Sequence, residues 1–87
     1  MKKIEYNDHK NVIYRQLRNA RIAAGMSQSQ LAAKMQTLGI NIDQQMISKI
    51  ENNKRIVTDY EMACFCIIFG VEEKALLKDF HEHIFLL

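Results

Sequence analysis

The sequence predicts an all-α fold: one compact domain of five short helices. Three observations carry that expectation. The 87 residues contain no proline and three glycines. Apolar residues recur at helical rather than alternating spacing. Cap residues stand where each apolar repeat begins, and Gly or Asn stands where it ends. Nearly half of the residues are hydrophobic, enough for a single core close to the lower size limit for a chain without metal or disulfides.

The first helix is expected from a cap at Asn11 to about Ala24, with Ile13, Leu17 and Ala20 or Arg21 on its inner face and Gly25 closing it. Ser27 caps the second helix, whose inner face reads Leu31, Ala32, Met35 and Leu38 before Gly39 stops it. Ile40-Asn41-Ile42 then crosses to Asp43, a carboxylate suited to the positive end of a third helix. That helix buries Ile47 and Ile50 and leaves Gln44, Gln45, Ser48 and Lys49 outside. Asn52-Asn53 ends it, because asparagine tolerates the left-handed backbone.

Thr58-Asp59-Tyr60-Glu61 is a capping box, so a fourth helix should run from there to Gly70. A fifth is expected from about Glu72. Its stripe of Leu77, Phe80, Ile84 and Leu87 predicts continuation almost to the C-terminus. The resulting division is an N-terminal arm over 1–10, a core domain over 11–80 and an apolar extension of the last helix over 81–87.

The net charge of +2 is small, but it is unevenly spread. Residues 1–58 hold ten Lys or Arg against four acids, and the remainder holds two against six. A basic front and an acidic back suit a molecule that turns one side to phosphate. Gln44 and Gln45, in the first turn of an exposed helix, carry amides that can bond both the donor and the acceptor of an adenine edge. The plainer reading is that these polar residues fill a solvent face.

Taken together, Leu17-Arg18-Asn19-Ala20-Arg21, Met26-Ser27-Gln28, Leu31-Ala32-Ala33-Lys34-Met35, Ile47-Ser48-Lys49-Ile50-Glu51-Asn52 and the Gly70-Val71 turn resemble the Cro/CI-type, lambda-repressor-like helix-turn-helix family. The resemblance implies base reading by Gln28, Gln44, Gln45, Ser48 and Lys49. Phosphate contacts are expected from Ser27, Arg18, Lys54 and Arg55, adding affinity and salt dependence but no sequence choice. It also implies a structural ion pair between Arg21 and Glu51. Two departures stand out: a lengthened connection between the second and third helices, and Asn53 where the family usually has glycine.

Cys64 and Cys66, two apart on a helix, point in different directions and cannot share a metal ion or a disulfide. His81 and His83 fail the same test if helical, so neither metal nor cofactor is expected. Cys64, Ile67 and Ile68 place surplus apolar surface on the fourth helix, and such patches mark interfaces. Phe80, Ile84 and Phe85 could cover it within one chain or between two. The expected partners are therefore double-stranded DNA and a second copy of the chain, without a membrane, in the cytoplasm. The expected role is a dimeric repressor on a palindromic operator. An antitoxin-like or accessory subunit that grips a second protein is the alternative, and no sequence motif of an enzyme is present.

Overall fold

In the computed structural model, which describes residue 6 and residues 8–84, the helices are α1 (Tyr14–Ala23), α2 (Gln28–Thr37), α3 (Gln44–Glu51), α4 (Asp59–Phe69) and α5 (Glu73–Leu76). A π-helical turn, Phe80–Ile84, follows α5. The described residues contain no strand, only an isolated bridge between Tyr6 and His9. No helix among them is long and apolar enough to cross a membrane.

Side-chain caps start three of the helices. Ser27 and Thr58 each accept a hydrogen bond from the backbone three residues on, and Gln30 and Glu61 reach back to the cap amides, completing two capping boxes. Asp43 accepts from the Met46 amide at 2.8 Å. Gly70 ends α4 in the left-handed conformation, φ +65°.

One core joins all five helices. Leu17 of α1, Leu31 and Met35 of α2, Ile47 and Ile50 of α3, Phe65 of α4 and Leu76 of α5 are fully or almost fully buried in it. The lengthened connection before α3 contributes Ile42, which is 0% exposed, and Ile40 packs against the same cluster. Gln36 of α2 donates its amide to the Ile42 carbonyl at 2.9 Å, and Gly39 makes the turn at φ +82°. The connection is longer than a tight turn, yet it is anchored at both ends, so α3 is held against α2.

Four expectations require correction. Asn11 does not cap α1: the helix starts at Tyr14 and its N-cap Ile13 makes no side-chain cap bond, while buried Asn11 accepts the Ile13 amide on Oδ1 at 3.1 Å, ahead of the helix, and sends Nδ2 to distant carbonyls. Leu38 is no core residue but the 42% exposed C-cap of α2, and it is Ile42 of the following connection that is fully buried. The fifth helix is not continuous. It is interrupted at Leu77, residues 78–79 are helical again, and the chain then widens into the π turn, while Asp79 is held by Gln16 of α1 at 3.2 Å and Phe80 packs its ring 5.6 Å from that of Tyr6. Tertiary contacts there override the local helical period. The expectations on Leu87 and Phe85 lie outside the described residues, as does the side chain of Ile84.

The fourth correction concerns the apolar surplus on α4. Cys64 and Ile68 are half-buried and pack on the core, so the surplus reduces to Ile67, 67% exposed. Phe80 is half-buried and makes its ring contact with Tyr6 of the same chain.

Candidate nucleic-acid interface

The site is built around a buried carboxylate. Glu51 is the last residue of α3, where the negative end of the helix dipole disfavours an anion. Arg21, at the end of α1, offsets this with two hydrogen bonds, Nε to Oε2 at 2.6 Å and Nη2 to Oε1 at 2.9 Å. The same guanidinium donates to the Met26 carbonyl at 2.9 Å, so one side chain joins the α1–α2 corner to the end of α3. Burial pushes the Glu51 carboxyl up, but hydrogen bonds from Arg21, Gln28 and Arg18 and the charge of Arg21 hold it, on balance, below its ordinary value. The hydrogen bond to Glu51 in turn raises the Arg21 guanidinium.

From that carboxylate a chain of amides leads to the surface. Gln28, in the first turn of α2, donates Nε2 to Glu51 Oε1 at 3.1 Å. Its own Oε1 accepts from Gln44 Nε2 at 2.7 Å. Gln44 is thereby fixed at the exposed leading end of α3, with Gln45 beside it and Lys49 farther along, both exposed. Ser48 is half-buried and occupied locally: Asn52 Nδ2 donates to its carbonyl at 2.8 Å and lies 3.4 Å from its hydroxyl.

The residues expected at phosphates divide. Lys54 is exposed, and Arg18 lies outward with weak bonds to Glu51 and Asn52 at 3.5 and 3.4 Å. Ser27 is exposed, and its hydroxyl oxygen already accepts from the Gln30 amide at 3.0 Å. Arg55 is diverted. Its guanidinium meets both oxygens of buried Glu61 at 2.9 Å and also donates to the Ile56 carbonyl, so it is a structural cation that braces the start of α4. Glu61 was legible as a capping residue, whereas its pairing with an arginine six positions earlier had no sequence signal.

Sequence reasoning also missed the long-range bonds that two asparagines make. Asn11 Nδ2 donates to the carbonyls of Ile50 and Arg55, both at 3.0 Å, and satisfies backbone acceptors at and beyond the end of α3. Asn53, in the left-handed conformation at φ +59°, accepts from the Lys10 amide at 2.8 Å.

Two helices joined at a corner, the second presenting a polar leading turn held rigid from beneath, define a helix-turn-helix. The sequence profile of the helix-turn-helix family matches residues 17–72, more than half of the chain, and the chain belongs to that family, of the Cro/CI (XRE) type. It is a DNA-binding transcription regulator, and the family is regulatory rather than enzymatic. Neither the curated proteins nor the solved structures yield a match to this chain.

Proposed function

We propose that the chain is a sequence-specific repressor that binds a near-palindromic operator as a homodimer, one α3 in the major groove of each half-site. The observation that carries this reading is the Gln44–Gln28–Glu51 chain of bonds beneath the exposed start of α3. A carboxamide has two N–H donors and one acceptor oxygen. With one donor given to Gln28, Gln44 retains the donor and acceptor that an adenine edge requires. Fixing a long side chain on binding costs about 0.5–1.5 kcal/mol, and a side chain already held avoids most of that cost. Gln45 and Lys49 read or contact adjacent positions, and Arg18, Ser27 and Lys54 supply phosphate contacts.

Dimerisation follows from affinity. One α3 with two or three base contacts, each worth about 1–3 kcal/mol, gives a weak monomer complex, and two half-sites about 34 Å apart are needed for tight binding. The outer face of α4 offers a surface for this, with Tyr60 59% and Ile67 67% exposed and Ala63 between them. Occupancy of an operator that overlaps a promoter represses by exclusion alone.

Selection of bound sequences from random DNA tests the reading. The expected product is an inverted repeat spaced by one helical turn and bound with a steep decline in affinity as salt rises. Absence of enrichment, or binding indifferent to salt, would overturn it.

A further inference from the structure

The turn that follows α3 carries more than the end of a helix. Asn53 Oδ1 accepts from the Lys10 amide at 2.8 Å and lies 3.4 Å from the Asn11 amide, while its Nδ2 donates to the Asp8 carbonyl at 3.3 Å. Asn11 returns the interaction through its two bonds to the carbonyls of Ile50 and Arg55. Two asparagines more than forty positions apart thus stitch segment 8–11 to the turn, each bonding the backbone near the other. The arm is further shaped by Asp8 at φ +64° and by the paired Tyr6 and His9 backbone bonds, both 2.7 Å.

This arrangement gathers cations. Lys54 donates its backbone amide to the Lys49 carbonyl at 2.8 Å, Arg18 reaches Asn52 at 3.4 Å, and Lys10 is joined to Asn53. Lys10, Arg18, Lys49 and Lys54 are all exposed around one turn, whereas Glu51 is buried and Asp8 is the acid within segment 8–11. Lys10 owes its place in this group to a side chain, since Asn53 accepts the Lys10 amide.

We propose that Asn53 is a positioning residue that latches the N-terminal arm to the end of α3, so that Lys10 contacts a DNA phosphate next to those reached by Lys54 and Arg18. The inference rests on α3 facing DNA, and the test separates the two. Affinity for the selected operator is measured over graded salt for the unaltered chain, Lys10→Ala, Asn53→Gly and the double variant. Glycine is at ease at the φ of Asn53, so this change removes the latch without straining the turn.

Each phosphate contact contributes a slope of about −0.9 in log affinity against log salt. Lys10→Ala should lose one such contact, which is about a threefold smaller change in affinity between 50 and 200 mM salt. Asn53→Gly should lose the same amount, and the double variant no more than either. An unaltered slope in Lys10→Ala overturns the phosphate contact. An unaltered slope in Asn53→Gly, or full additivity in the double variant, overturns the latch. Absence of salt-dependent binding by the unaltered chain would remove the DNA reading itself, and the inference with it.

Discussion

Glu51 illustrates how a single residue serves both the fold and the site. Its carboxylate is fully buried, binds Arg21 on one side, and on the other holds the glutamine that orients Gln44. Removing one member of a buried pair leaves the other charge unmatched, at a cost of about 3–5 kcal/mol. Glu51→Gln is therefore expected to lower the urea midpoint by that equivalent, and a loss near zero would show that the pair contributes nothing to the fold. Arg21 and Glu51 are adjacent in the fold but thirty positions apart in sequence, and only the resemblance to a family pointed to their pairing. Asn11 misled sequence reasoning for a physical reason. An asparagine just before an apolar repeat satisfies the rule for a helix cap, yet its bonds to Ile50 and Arg55 are made to chain forty residues away, and no local rule registers them.

At the scale of elements, legibility tracked how local the determining interaction is. The cap at Ser27, the capping box at Thr58 and the left-handed ends at Gly70 and Asn53 depend on residues within one turn, and they could be read directly. The interruption at Leu77 and the π turn after it lie where Gln16 and Tyr6, distant in sequence, meet the segment, so the stripe of Leu77, Phe80, Ile84 and Leu87 was read as one regular helix. The lengthened α2–α3 connection was visible as an insertion, but the burial of Ile42 was not, since a lone isoleucine between polar residues has no period. Gly39 at φ +82° turns this connection, and a Cβ there would meet no atom within 4 Å. Gly39→Ala should consequently cost only the backbone penalty, about 1–2 kcal/mol, read as a lower melting temperature. A larger loss would mean that the connection cannot relax and that steric contact, not φ, governs the turn.

For the molecule as a whole, two buried carboxylates set the dependence of stability on pH. Burial pushes Glu51 and Glu61 up, but their arginine partners and hydrogen bonds hold both below the ordinary carboxylate value. A depressed carboxyl in the folded state means that the unfolded chain binds protons first, so this contribution is complete above the ordinary value of about 4.3 and is lost as pH falls below it through the folded values. Urea midpoints should be level from neutrality to about pH 5 and drop at more acid pH, and a flat profile down to pH 3 would contradict the role given to these pairs. Association belongs to the same scale. Sedimentation at tens of micromolar should show a dimer, and Ile67→Asp should convert it to monomer without unfolding, because Ile67 is 67% exposed. Persistence of the dimer in that variant would move the interface off α4. The most direct measurement of the central claim is the base-by-base affinity profile of the selected operator for the unaltered chain, Gln44→Ala and Gln28→Ala. The account predicts that Gln44→Ala loses discrimination at one symmetric pair of positions, by about 1–3 kcal/mol, with a smaller loss at the same positions in Gln28→Ala. Profiles that keep the same preference at every position would contradict reading by the front of α3.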